Sequence, residues 1–435
     1  MVYSSPTEHH VYPTQITAMN LPQLTCKISA LLLLPATLLF AEPAEFAASV
    51  NNGKVKVFIL AGQSNMEGRG FPEPLVWQVG QAKYRSRYTH FIKDGDYDAF
   101  LKKVAETKDP EDRRKTPTYL WSERKDVWIN YLGKHGNLMV GYGAPNQGFG
   151  PELNFGHVIG NYYDEQVLII KTSWGGRALA QGFLPPSSMP TQAEFEMMTI
   201  AENNKNAEWN VQQQQRVVRN NLKIKEENKT AVSKKALQVF KPREILSVDQ
   251  YKARYGIDYR NMVQEVHQCL GNLKERFPGY RGQGYEMKGF VWFQGWNDQY
   301  NDRWLTYEHN LGNLIRDLRR EFSTPDMKVV IGEMGHDGPE EPKVDAPRTL
   351  IMAAQQAVAK SAEFRKTAIC VNTRQYWDMD AHNIYHGPGG WSKDIDKWRQ
   401  FGNDRPYHYL GSPWFFAQAG TGFGKAMLTL VRKDK

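Results

Sequence analysis

Apolar residues run almost unbroken through Lys54–Leu60 (KVKVFIL), and similar short, dense runs recur at Gln166–Lys171, Lys288–Phe293, Lys328–Ile331 and Thr367–Val371. Runs of this length, rich in Val, Ile and Phe, predict buried strands. Between several of them the spacing turns helical, at Pro151–Tyr163, Tyr307–Phe322 and Thr349–Ala362, with a last helical segment at Trp414–Leu430. Strands alternating with helices predict an α/β fold whose parallel central sheet is covered on both faces. Functional groups are then expected beyond the C-terminal ends of the strands.

Two stretches break the alternation. Residues 71–138 are rich in charge, Trp and Tyr; residues 183–283 contain the run Gln212–Gln215 and the mixed-charge segment Lys223–Lys235. Both read as insertions into a single domain over 54–430, the second largely helical, because a long structureless loop inside a domain is unusual. Upstream, Ile28–Phe40 (ISALLLLPATLLF) follows Lys27 and precedes Ala41, which predicts a secretory signal peptide over 1–41, with Met19 as an alternative start. The run is short for a membrane span and contains Pro35. A secreted or periplasmic location is expected, an uncleaved anchor being the alternative.

Composition narrows the function classes. A chain of 435 residues with 12 Trp and 21 Tyr can bury a sizeable core and still line a cleft with rings that stack on sugars. The net charge of +8 is spread along the chain among abundant acids, so no nucleic-acid partner is implied. Of three cysteines, Cys26 lies in the segment expected to be removed; Cys269 and Cys370 either pair or stay as buried thiols. Neither cysteine nor histidine spacing predicts a metal, and no cofactor is expected.

Three turns carry chemistry. Gly62-Gln63-Ser64-Asn65-Met66 follows the first strand, and a serine there projects at the strand's C-terminal end, where its hydroxyl can meet a base. Ser173-Trp174-Gly175-Gly176 follows the second run; paired glycines let backbone amides approach a ligand, although a plain tight turn accounts for them equally well. Gln294-Gly295-Trp296-Asn297-Asp298 follows the third, and a carboxamide such as Asn297 can donate to developing negative charge without titrating, or simply cap the next turn.

The strand with its GQSNM turn resembles the first block of the SGNH hydrolases, in the branch of sialate O-acetylesterases and acetylxylan esterases, and the later turns are similar to its second and third blocks. The resemblance spans about 54–182 and 288–430. It implies a three-layer flavodoxin-like fold, Ser64 as nucleophile, and an oxyanion hole from the amides of Ser64 and Gly176 (or Gly175) with the Asn297 side chain. The family's histidine lies before the last helix, which falls on His408, with Asp404 as its orienting acid. The spacing Asp404-Arg405-Pro406-Tyr407-His408 is one residue longer than the family's Asp-x-x-His, and Asp378, Asp380, His382 and His386 form a rival constellation. Trp296 stands where the branch often carries an acid. Gln63, Gln294, Trp296 and Glu152, the last in a Gly-Pro-Glu helix start, are candidate substrate contacts.

The expected function is a secreted serine esterase that removes O-acetyl groups from carbohydrate such as sialic acid or xylan. The alternatives are a non-catalytic carbohydrate-binding protein on the same fold, and an esterase for lipid or thioester substrates.

Overall fold

In the computed structural model, the described residues are 51–106, 120–144, 148–230, 233–335, 338–340 and 343–432. The signal-peptide reading of 1–41, and Cys26 within it, lie outside them. Among the described residues seven strands form one sheet: β1 (Asn51–Gly62), β2 (Arg124–Tyr131), β3 (Lys134–Leu138), β4 (Glu165–Ser173), β5 (Tyr285–Phe293), β6 (Lys328–Glu333) and β7 (Ala368–Asn372). Their order is β3-β2-β4-β1-β5-β6-β7. All neighbours are parallel except β3, which pairs antiparallel with β2 at the edge, so the expected all-parallel sheet is corrected there. A two-residue turn after β2 can only return the chain antiparallel.

Helices cover both faces: α1 (Ser64–Glu67), α2 (Glu152–Gly160), α3 (Gln192–Thr230), α4 (Ile257–Gly271), α5 (Tyr307–Glu321), α6 (Pro347–Lys360) and α7 (Pro413–Val431). Strand side chains alternate between faces. Phe58 and Leu60 of β1 pack with Phe155 of α2 and Phe416 of α7, while Val57, Ile59 and Ala61 pack with Met262 of α4 and Leu311 and Leu314 of α5. In α5, Leu311, Leu314, Ile315 and Leu318 recur at helical spacing and are all buried. Each fully buried aliphatic or aromatic side chain of this kind contributes about 1.5–3 kcal/mol. This double coverage explains why β1 reads as a nearly continuous apolar run.

Register sets up the functional end of the sheet. Gly62, the last residue of β1, stands level with Ser173 of β4 and Phe293 of β5. The chain turns to opposite sides of β1 to make β4 and β5, so the three strands end together at a topological switch point, where open α/β sheets form clefts.

The stretch 71–138 proves to be partly scaffold, since it supplies β2, which pairs with β4, and the edge strand β3. The stretch 183–283 is largely helical, as expected, but its main feature is an arm. Helix α3 runs for 39 residues, and beyond Asn206 none of its residues is buried. Its root is held by a small cluster of Leu184, Phe195, Leu246, Tyr251 and Tyr255. An irregular segment from residue 233 to 247 returns along it, pinned by asparagines that each use both ends of the carboxamide on one backbone residue. Asn203 donates to Leu246 O (2.8 Å) and accepts from Leu246 N (2.9 Å). Asn210 does the same with Arg243, Asn221 with Gln238 and Asn228 with Lys235, at 2.7–2.9 Å. Steps of seven, eleven and seven helical residues advance about 10.5, 16.5 and 10.5 Å. The matching steps of three, five and three extended residues advance about 10, 17 and 10 Å.

Candidate active site

β1 can end as it does because residue 62 is glycine: a Cβ there would lie 2.1 Å from the Phe293 carbonyl oxygen. Gln63 stays extended and Ser64 opens the single turn α1, whose end is closed by the Gly68 N–H on Ser64 O. Below this turn lies a fully buried cation. Lys171 of β4 donates Nζ to Glu67 O (2.7 Å) and Tyr142 O (2.6 Å) and pairs with Glu152 Oε2 at 3.0 Å. Burial, the largest influence, lowers the Lys171 pKa and raises that of Glu152, and the charge of each partner opposes the shift. Glu152 is 0% exposed, so it holds the floor of the Ser64 turn and does not line the cleft. The expectation of a substrate contact there is corrected; a carboxylate opening a helix beside a buried lysine is stable only as that lysine's partner.

The other two turns are stapled to the first. The Gly175 N–H donates to Glu67 Oε1 at 2.6 Å, so that amide is already occupied. Gly176, at φ +71°, takes the left-handed conformation that a side chain resists, and it is exposed at the cleft. Asn297 donates Nδ2 to Gly176 O (2.8 Å) and accepts at Oδ1 from Gln63 Nε2 (3.2 Å), which fixes the carboxamide's orientation and leaves its second N–H for a ligand. Asp298, fully buried, accepts the backbone N–H groups of Leu179 and Ala180, both at 2.8 Å, and Gln294 Nε2 at 2.7 Å. Burial pushes its carboxyl up to about 6 against the pull of these donors.

Gln63 and Gln294 are committed internally as well. Gln63 Oε1 accepts from Gly295 N, while Gln294 bonds to Arg177 O, Asp298 and Tyr307. Both are 3% exposed, so they act as braces and not as the expected substrate contacts. Of the four candidates Trp296 alone keeps a partly open face, with the Tyr407 ring 5.5 Å away.

The remaining functional groups arrive on the loop before α7. His408 Nε2 lies 2.9 Å from Ser64 Oγ, and His408 Nδ1 lies 2.9 Å from Asp404 Oδ2. Burial would raise the Asp404 carboxyl, but the His408 hydrogen bond and charge, the Arg405 amide and Arg69 together bring it below the usual carboxylate value. Asp404 is therefore ionised near neutral pH, the His408 Nδ1–H donates to it, and Nε2 is left to accept the serine proton. The extra residue in the Asp404–His408 spacing is absorbed by a turn: the His408 N–H donates to Arg405 O, and the two side chains meet as i and i+4 neighbours.

The rival constellation is used elsewhere. Asp378 caps a helix at Ala381 N and accepts from Ser412 Oγ; Asp380 accepts from Tyr84; His382 accepts from Trp377 Nε1 and lies against His386. Cys269 and Cys370 are unpaired, and burial raises both thiols, Cys269 to about 12. Among the described residues no group of three His, Cys, Asp or Glu side chains is placed to hold a metal, and no helix is long and apolar enough to cross a membrane.

Sequence reasoning assigned no role to Glu67, Arg69, Lys171 or Asp298. Asp298 closes the third quoted motif and Glu67 and Arg69 directly follow the first, but they have partners on other strands and loops. Arg69 bridges Glu67 (3.4 Å) and Asp404 (3.9 Å).

The family profile described as carbohydrate esterase, sialic acid-specific acetylesterase, matches residues 54–213 and 229–382. Among solved structures, a protein from Arabidopsis thaliana is 14% identical, with 86% of this chain and 98% of that one covered at a TM-score of 0.40. A carbohydrate acetylesterase from Xanthomonas citri is 11% identical, with 72% and 49% covered at 0.35. The structure of NanS is also 11% identical, with 88% and 100% covered at 0.37. Among curated proteins none matches the chain.

Proposed function

This chain belongs to the sialic acid-specific acetylesterase family of carbohydrate esterases, and from that premise we propose that it hydrolyses O-acetyl esters on carbohydrate through an acetyl-enzyme on Ser64. The observation that carries the reading is the continuous Asp404–His408–Ser64 relay, with both contacts at 2.9 Å. Ser64 Oγ attacks the acetyl carbonyl carbon while His408 Nε2 takes its proton. The tetrahedral oxyanion is held by the Ser64 and Gly176 amides and the second Asn297 N–H. The C–O bond to the sugar then breaks as His408 returns the proton to the leaving oxygen. Water, deprotonated by the same imidazole, cleaves the acetyl-enzyme to acetate and regenerates Ser64.

The substrate class is an O-acetylated glycan such as sialic acid or xylan, with Trp296 and Tyr407 as a face on which a ring can stack. The finer fold reading is the three-layer, flavodoxin-like SGNH arrangement, supported by two apolar clusters on opposite sides of the sheet. An extracytoplasmic site of action rests on the apolar run before Ala41.

The test is acetate release across a panel of acetylated glycans, with labelling by a serine-directed phosphonate. Wild type should release acetate and take one phosphonate; Ser64→Ala should remain folded, take none, and keep under about a thousandth of the activity. Retention of a tenth of the activity by Ser64→Ala would overturn the assignment.

A further inference from the structure

Helix α3 carries an apolar stripe that nothing in the chain's described residues covers. Met197, Ile200, Val211, Val218 and Leu222 are each more than half exposed, for example 62% at Leu222. At 100° per residue they fall within an arc of about 60°, roughly a quarter-turn away from the asparagines that hold the return segment. Asn204 and Ala207 continue the stripe between Ile200 and Val211. A run this long at coiled-coil spacing, on a helix with no buried residue past Asn206, has the form of one half of a helix-pair interface.

The charges specify the other half. Residues 192–210 carry Glu194, Glu196, Glu202 and Glu208 against Lys205, a net −3; residues 211–230 carry five cations against Glu226 and Glu227, a net +3. The helix macrodipole favours acids only in the first turn and bases only in the last, so it does not account for a division that runs the length of both halves. A parallel twin would set like charges together. An antiparallel twin sets acid against base and satisfies the apolar stripe in the same register. With Met197 opposite Leu222 and Ile200 opposite Val218, small Ala207 meets Val211 near the two-fold axis, Glu194 comes level with Lys225, and Glu196 with Lys223. Such a contact is self-complementary and closes after two copies.

We propose that α3 is a dimerisation arm, and that its partner is the antiparallel α3 of a second copy of this chain. The asparagine ladder serves that role by keeping the helix straight and its stripe clear of the return segment.

The experiment measures solution mass by light scattering from about 1 to 100 µM. The chain should run at twice its own mass at the upper end, and Ile200→Glu with Val218→Glu should run at the single mass with an unchanged circular dichroism spectrum, because both positions are exposed and their replacement leaves the folded chain intact. Polarity is read from a cysteine pair: Met197→Cys with Leu222→Cys should cross-link two chains under mild oxidation, and either change alone should not. A single-chain mass at every concentration overturns the proposal, as does a dimer that survives the Glu variant. Self-cross-linking of Met197→Cys alone would demand a parallel pair and overturns it equally.

Discussion

The two halves of the site are built by different physics. The Ser64, Gly176 and Asn297 turns leave three central strands whose ends the sheet register holds level, and buried groups tie them together: Lys171 under α1, Glu67 to Gly175, and Asp298 to Leu179 and Ala180. The His408 loop has no strand beneath it. Tyr409 and Leu410 sit at φ +49° and +64°, conformations that cost a bulky residue about 1–3 kcal/mol each and persist only where the surroundings enforce them. Here the enforcement is aromatic: the Tyr409 ring stacks on Phe415 at 3.6 Å between centroids, and its hydroxyl meets Gly335 N at 3.0 Å and Thr373 Oγ1 at 3.3 Å. The strand-end side is therefore set by the fold itself, while the His408 side is set by a few packed side chains. Besides the Ser64–His408 contact, direct links between them include Asn65 Nδ2 on Tyr407 O and Arg69 beside Asp404.

The largest effect tests whether the loop half carries the base at all. His408→Ala should lower kcat/KM on an acetyl ester by about 10⁴-fold or more, while His382→Ala stays within about twofold of wild type. The reverse pattern would move the base to the Asp378–His382 segment and dissolve the comparison. The next test addresses the strand half. Lys171→Met leaves Glu152 buried without its cation and should cost about 3–5 kcal/mol in urea unfolding. Adding Glu152→Leu should recover most of that loss, since a buried pair is costlier to break than to replace. A stable single variant would mean that α1 is held by something other than this pair. The smallest effect sharpens the contrast. Tyr409→Phe keeps the ring stack but orphans the buried Gly335 N–H, and should cost about 1–2 kcal/mol. Its kcat should fall several-fold, because the loop carries the base; unchanged kcat would show that ring stacking alone holds the loop.

The same contrast explains what was legible in the sequence. The strands β1, β4, β5 and β6 announce themselves because burial on both faces leaves long apolar runs such as Val57–Leu60 and Val167–Ile170, and β7, at the sheet edge, does so through the run Ala368–Val371. β2 and β3 do not: Arg124–Tyr131 and Lys134–Leu138 lie near the sheet edge, and only Val127, Trp128 and Ile129 make an apolar run there. The three turns are readable as local strings, and His408 from its place before the last helix. Their braces are not, because Lys171 reaches Glu67 across 104 residues and Asp298 reaches Leu179 across 119. Glu152 was legible as a helix start, but its burial depends on Lys171, which no local pattern couples to it. The apolar stripe of α3 was present as spacing, masked by the Gln212–Gln215 run and by the reading of 183–283 as an insertion.

The asparagine ladder also constrains how the arm can change. It works as a vernier, in which the helical scale and the extended scale coincide only after seven against three residues or eleven against five. One residue added to α3 alone would rotate every later asparagine by about 100° away from its backbone partner. One residue added to the return segment alone would slide it by about 3.3 Å and present the wrong peptide edge. The arm can therefore lengthen or shorten only in paired increments on its two limbs, so its reach is quantised in steps of about 10 and 17 Å.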